Sequence, residues 1–280
     1  MKSALRNIKK KYIVLGFAFF LMTGFFSLSE DKPTNSQSAS ELTPTVFVHG
    51  FKGGPQSFGT MIHRLEEKEW GSEGMVFHIS ADGDIQVTGD FSGKKNPSIQ
   101  ILFENNRARL ADQTIWLQEA MTMLRSTHDI QQVNLVGHSM GGLTSTNYLL
   151  NNEDGNYPEV EKLVVMGSPF KGIHMEEYFE VNYGEATKDL HPQSEALTSM
   201  VDNKARFDEE TLVLAIAGQT TIEPATDNLV TVESAFGIRD IARTDQYSEE
   251  MFRDKMATHS GLHEHPGVDK TVAEFLWESK

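Results

Sequence analysis

The sequence contains no cysteine. That excludes a disulfide framework, and it excludes a lipid-modified cysteine at the end of an export signal, so stability must come from packing alone. Basic residues are also in short supply: 25 Lys and Arg face 40 Asp and Glu, a formal net charge of -15. Residues 1–29 hold five of the basic side chains and no acidic one, so a form cut after residue 29 carries -20. A domain this acidic is unsuited to nucleic acid and to anionic membrane surfaces. Internal repeats are missing too, and the only stretch of biased composition is a polar segment near the N-terminus.

What is present begins with Lys2, Arg6, Lys9, Lys10 and Lys11, followed by an uninterrupted apolar run from Tyr12 to Leu28. This is the pattern of a secretory signal, with Ser27 and Ser29 as small residues at the -3 and -1 positions of a cleavage after Ser29. The run is close to the roughly 17–25 residues that a membrane span needs, so an uncleaved anchor is the other reading. Either way the protein is expected outside the cytoplasm, secreted or held at the cell surface. Residues 30–43 are rich in Ser, Thr, Asn and Pro without apolar periodicity and read as a flexible tether. A single catalytic domain is expected over 44–280.

Within that domain short apolar runs alternate with helical patterns. Thr45–Val48, Met75–Ser80, Ile85–Thr88, Ile99–Phe103, Val133–Val136, Lys162–Met166 and Thr211–Ala217 read as strands. Ala81-Asp82-Gly83-Asp84 is a hairpin turn signal between the second and third. Helices are expected from Ser57, a candidate N-cap, over about 109–128 with Ile115, Trp116, Leu117, Ala120, Met123 and Leu124 inward, after Gly142, and over Val268–Trp277. Continuous apolar strands between helices imply a mostly parallel sheet covered on both faces, with ligands at the carboxyl ends of its strands. Between Gly167 and Phe207 the pattern loosens into scattered aromatic and acidic residues, and about 170–207 reads as a small lid insertion, an ordinary packed helical excursion being the other reading.

The chemistry centres on Gly137-His138-Ser139-Met140-Gly141, a G-x-S-x-G turn between an apolar strand and a helix. A strand turning sharply into a helix exposes the serine at its apex, and flanking glycines give the clearance that this turn demands. The helix N-terminus also turns free N–H groups toward any anion formed there. Ser139 is therefore the candidate nucleophile. A serine hydroxyl needs a base and a group to orient that base. In the α/β-hydrolase fold, which this strand order and elbow imply, the acid and then the histidine follow the serine along the chain. Asp227 lies just past the strand after the insertion, with Glu223 as runner-up. The late histidines are His259, His263 and His265, and spacing does not choose among them. The oxyanion hole is expected from the N–H groups of Met140, after the nucleophile, and Phe51, in the early loop His49-Gly50-Phe51.

Five stretches together, His49-Gly50-Phe51-Lys52-Gly53-Gly54, Asn96-Pro97-Ser98-Ile99-Gln100, the Ser139 elbow, Gly167-Ser168-Pro169-Phe170 and the closing His259-Ser260-Gly261-Leu262-His263-Glu264-His265-Pro266, resemble a family of exported α/β-hydrolases of Gram-positive bacteria. The resemblance covers nearly everything from Pro44 onward. It implies lipase- or esterase-like serine hydrolase chemistry on a small-molecule or lipid-like ester, with no cofactor and no metal ion. It puts the acid at Asp227, in Thr226-Asp227-Asn228-Leu229-Val230, and the base on the second histidine of the closing motif, His263. It expects asparagine where this chain has His265. Two rival readings accompany it. His259, His263 and His265 with Glu264 would be the ligands of a metal-dependent hydrolase, although Gly261 and Pro266 disfavour the helix that such spacing needs. A non-catalytic surface-binding module on the same fold would leave the Ser139 elbow unused.

Overall fold

The computed structural model describes residues 42–278 except 92, 153–154 and 243–244. The expected signal or anchor and nearly all of the tether lie outside the described residues. Of the tether's last residues, Leu42 already packs against the core, so the fold starts two residues before Pro44.

Eight strands form one sheet in the order β3-β2-β4-β1-β5-β6-β7-β8. They are β1 (Thr45–Val48), β2 (Ser72–Ile79), β3 (Ile85–Gly89), β4 (Pro97–Phe103), β5 (Gln132–His138), β6 (Glu159–Met166), β7 (Leu212–Gly218) and β8 (Tyr247–Phe252). Among the described strands of this sheet only the β2–β3 hairpin is antiparallel, and the other pairings are parallel. The hairpin closes through the Ala81–Asp84 turn, where the Ser80 amide donates to the Asp84 carbonyl at 2.9 Å.

The largely apolar character of the central strands β1, β4, β5, β6 and β7 follows from their being covered on both faces. Phe47, Val136, Val164 and Met166 point to one side, against Phe58, Met61 and Leu65 of α1 (Pro55–Glu67) and Val268, Val272 and Leu276 of α8 (Pro266–Trp277). Val46, Val48, Leu135 and Val165 point to the other, against Leu117, Met121 and Leu124 of α2 (Leu110–His128) and Leu143 and Leu149 of α3 (Met140–Leu149). This is the α/β-hydrolase fold expected from the sequence.

Two local expectations are corrected, and one strand, β8, was not foreseen. Ser57 is not the N-cap of α1: Pro55 occupies the first turn after Gly54, and the Ser57 hydroxyl reaches back to accept from the Gly54 amide at 3.1 Å. Ile115 lies on the solvent side of α2, 51% exposed, while Trp116 and Leu117 turn inward. The strand β8 carries no apolar run, because an edge strand paired on one side alone can leave Glu249 and Glu250 in water.

Between β6 and β7 the chain forms α4 (Glu176–Val181), α5 (Ala186–Leu190), α6 (Glu195–Asp202) and a 3-10 turn at Lys204–Arg206, and between β7 and β8 the short α7 (Val232–Ala235). Phe170, Ile173, Leu190, Leu197, Met200 and Phe207 bury the β6–β7 excursion against the α2 side of the core. Its deepest tie is Asp189, which accepts from the Arg109 guanidinium at 2.6 Å and from the Leu110 amide at 2.8 Å. Asp189 thereby caps the start of α2 from another element.

Candidate active site

The carboxyl ends of β1, β5, β6 and β7 converge on one edge of the sheet, and the residues singled out by their chemistry gather there. Ser139 stands between β5 and α3 with φ 55° and ψ -126°. This is a strained conformation for a residue with a side chain, of the kind that persists only where surrounding structure imposes it. The imposition is visible in the packing. A Cβ on Gly141 would lie 2.0 Å from the Val48 carbonyl oxygen, and one on Gly50 would lie 2.8 Å from the Ser139 Cβ. The elbow and the His49-Gly50-Phe51 loop are thus in contact, and glycine is what permits it. Neither the Phe51 nor the Met140 amide donates to an acceptor among the described residues. Met140 directly follows Ser139, and Phe51 directly follows Gly50, the glycine that touches the elbow.

Asp227 lies in the loop after β7 with its side chain 1% exposed. One carboxylate oxygen, Oδ1, accepts from the amides of Leu229 (2.9 Å) and Val230 (2.7 Å), in a turn closed by the Thr226–Thr231 bridge. The other, Oδ2, is 2.8 Å from Nδ1 of His259. On the far side of that ring, His259 Nε2 is 3.0 Å from Ser139 Oγ. Glu223, the runner-up acid, is exposed and takes no part.

The histidine in contact with the serine is therefore His259 and not His263, which corrects the assignment implied by the resemblance. His259 belongs to the loop ahead of the closing turn, where its amide donates to the Asp227 carbonyl at 2.7 Å. His263 lies within the 3-10 turn Leu262–Glu264. Its ring packs on Phe58 and His138, its Nδ1 is 3.2 Å from Glu264, and its carbonyl accepts from Arg64 of α1 at 2.8 Å. Arg64 also binds Glu264 at 2.8 Å and Asp269 at 2.6 Å, so residues 263–269 serve to lock α8 onto α1. One signal in the sequence points this way. Pro266 opens a helix, which makes the residues just before it capping residues and leaves the free loop to His259.

His265 is such a cap. Its Nδ1 accepts from the amides of Gly267 (2.9 Å) and Val268 (3.3 Å), while Nε2 donates to Asp254 at 2.8 Å. An asparagine oxygen would do the same for the helix, so the exchange of side chains preserves the N-cap. The three late histidines therefore face three different ways, and a shared metal ion would require each to abandon its partner. Among the described residues the one grouping with metal-ligand spacing is the exposed set His63, Glu66 and Glu73, far along the chain from this loop.

Two further histidines shape the site without touching Ser139 Oγ. His49 accepts the Phe103 amide on Nε2 at 3.1 Å, which leaves the proton on Nδ1 to donate to the Gly50 carbonyl at 2.9 Å. That fixes the tautomer and ties the Phe51 loop to the end of β4. His138 donates from Nε2 to the His259 carbonyl at 2.9 Å, holding the loop that carries His259. Sequence spacing alone gave no hint of this pair, since 121 residues separate the partners.

Burial lowers the imidazole pKa of His49, His138 and His263, and for His138 the neighbouring His259 and His263 lower it further, well below the usual range. In the unfolded chain these groups titrate near 6.5. Below that pH the unfolded state binds protons that the folded state refuses, so stability is complete above about pH 6.5 and declines as the pH falls. The expected slope is about 1.4 kcal/mol per pH unit for each histidine that stays neutral. Urea unfolding midpoints taken from pH 7.5 down to 5 should decrease steadily. A constant midpoint would contradict neutral burial of these rings.

Lys52 adopts φ 60°, a left-handed conformation that costs a non-glycine residue roughly 1 kcal/mol. Its amide donates to the Asn106 carbonyl at 2.9 Å, and the Asn106 side chain donates to the Gly53 carbonyl at 2.8 Å. The loop that follows β1 is thus zipped to the segment that follows β4.

Comparison with known proteins agrees with this architecture. The product of gene lin2722 of Listeria innocua has a crystal structure that superposes with a TM-score of 0.75 at 28% identity, covering 86% of this chain and 96% of that one. A "putative cell surface hydrolase" from Lactobacillus plantarum superposes at 0.64 with 21% identity, covering 84% and 90%. The mature form of Bacillus licheniformis lipase BlEst2 superposes at 0.51 with 16% identity, covering 78% and 87%. No curated protein matches the chain. Residues 32–279 match the family described as "Alpha/beta hydrolase of unknown function (DUF915)". With the elbow, sheet order and sequence match in agreement, the chain belongs to this family of α/β-hydrolases, whose relatives of known structure include proteins of Gram-positive bacteria.

Proposed function

We propose that this protein is a serine-dependent carboxylic-ester hydrolase, exported and working at or outside the cell surface. The observation that carries the reading is the continuous chain from Asp227 through His259 to Ser139, with spacings of 2.8 and 3.0 Å, at the mouth of the sheet. Asp227 holds the proton of His259 on Nδ1 and leaves Nε2 free to accept. His259 takes the Ser139 proton as Oγ attacks the ester carbonyl, and the Phe51 and Met140 amides receive the charge on the carbonyl oxygen. The tetrahedral adduct collapses as His259 returns that proton to the departing alcohol. Water then attacks the acyl-serine by the same route, restoring Ser139 and releasing the acid. The basic and apolar N-terminal segment supports export. The lipase named above has the same fold, which is compatible with ester chemistry and goes no further.

A fluorophosphonate tests the proposal directly. It should form one adduct, on the peptide containing Ser139, and abolish hydrolysis of a series of 4-nitrophenyl esters from acetate to dodecanoate. Hydrolysis that survives complete labelling, or labelling elsewhere, would sink the assignment. The length preference across the series separates an esterase from a lipase.

A further inference from the structure

In a chain so acidic, most cations beside the core are neutralised: Arg64 by Glu264 and Asp269, Arg109 by Asp189, Lys171 by Glu233, Arg239 by Glu249. Two are not. Lys52 and Arg107 form no ion pair with a carboxylate among the described residues, and both stand at the oxyanion loop. The Lys52 ammonium is 5.6 Å and the Arg107 guanidinium 5.3 Å from the centre of the Phe51 ring. The Phe51 amide is the oxyanion donor proposed above.

Their remaining partners are neutral and hold them in place. Lys52 donates to the side-chain oxygen of Asn182, at the end of α4. Arg107 donates to the Tyr183 carbonyl at 2.7 Å and lies 4.2 Å from the centre of the Tyr183 ring, itself 73% exposed. The Arg107 backbone is pinned from both sides: its carbonyl accepts from the Ala186 amide at 3.0 Å, and Gly184 approaches closely enough that a Cβ there would lie 2.7 Å from Arg107 Cβ. Glu104, three residues earlier, turns instead to the Ala81 amide. Two positive charges are thus fixed by the loop, the segment after β4 and the excursion, with their charge left uncompensated and open to water.

From this juxtaposition we propose that Lys52 and Arg107 form an anion subsite that selects esters carrying a phosphate or carboxylate group close to the scissile bond. The inference rests on the hydrolase reading of Ser139 and names its substrate class. In a protein whose overall field repels anions, a fixed local pair of cations is the means by which an anionic substrate is admitted and oriented. Arg107 supplies the planar fork suited to oxyanions and Lys52 a compact point charge.

The test compares matched esters on the full chain at low ionic strength. The anion is placed on the alcohol side in 1-butyrylglycerol 3-phosphate against 1-butyrylglycerol, and on the acyl side in mono-4-nitrophenyl glutarate against 4-nitrophenyl butyrate. One anionic member should exceed its neutral match in kcat/KM by about 10-fold or more, with the preference shrinking as salt is raised. The arm that shows it identifies the side of the ester that carries the charge. The double variant K52Q/R107Q should bring that ratio close to one, whereas K52R/R107K should retain most of it. Because each ratio is internal to one variant, a general loss of activity does not imitate the effect. Binding of the same four compounds to the Ser139→Ala chain, by calorimetry, decides the case without turnover. Anion-dependent binding lost in K52Q/R107Q upholds the subsite even where no ester is hydrolysed, which would count against the hydrolase reading alone. Equal binding of charged and neutral members overturns the subsite even where Ser139 proves catalytic.

Discussion

Ser139→Ala is expected to lower kcat/KM on a short-chain 4-nitrophenyl ester by about 10⁴–10⁶-fold, the size seen when one member of a cooperating serine triad is removed. The magnitude follows from what remains. With Oγ gone, the Phe51 and Met140 amides can still polarise a carbonyl, and His259 can still act on water, so activity falls toward that residual level rather than to zero. The backbone argument predicts little change in fold. Alanine at φ 55° bears the same strain as serine there, and the contacts that impose it come from Gly141 against Val48 and Gly50 against the elbow, none of which involves the hydroxyl. A thermal midpoint close to that of the wild type together with lost turnover would place the effect in chemistry. Turnover within about tenfold of wild type would remove Ser139 from the reaction, since no such triad tolerates that loss.

The elbow was legible because it condenses several constraints into a few residues: a buried strand, an apex at positive φ and a tight helix start each restrict the sequence. The central strands were legible for a related reason, both faces being covered, so that in Val133–Val136 and Lys162–Met166 only Asn134 and the terminal Lys162 are polar. Where one of those constraints is relaxed, the signal disappears. The edge strand β8 reads Tyr-Ser-Glu-Glu-Met-Phe and has no periodicity to betray it. The helices α4 and α5, of six and five residues, are too short for a 3.6-residue pattern to develop, and they are held by tertiary ties such as Asp189 to Arg109. Long-range polar contacts were the least visible. Nothing local in Gly137-His138-Ser139 reveals that the middle residue supports the His259 carbonyl, or that His49 bonds to the end of β4. The histidine that meets Ser139 was hidden for the same reason: a closing segment with three histidines offers the same residue type in three places, and only packing against α1, the α8 N-terminus or the serine separates them.

That separation gives the second large effect, a contrast between two variants four residues apart. His259→Ala removes the group 3.0 Å from Ser139 Oγ and leaves Asp227 without the ring it orients. Loss of the base should cost about as much as loss of the nucleophile, again about 10⁴–10⁶-fold, because the two act as a unit. His263→Ala removes a mostly buried ring that packs on Phe58 and His138. The cavity left behind should cost about 1–3 kcal/mol of stability, the range for truncating a partly buried side chain in a packed site. Since Arg64 binds the His263 carbonyl and not its ring, the tie between α1 and the closing turn survives the truncation. Turnover at a temperature where both variants are folded should then stay within about tenfold of wild type for His263→Ala, a loss compatible with small displacement of a catalytic group. If His263→Ala were the inactive variant and His259→Ala the merely unstable one, the loop order described here would be wrong and the resemblance right. General loosening of residues 259–265 would depress both alike, so it is the difference between the two, measured beside their unfolding midpoints, that identifies the ring receiving the serine proton.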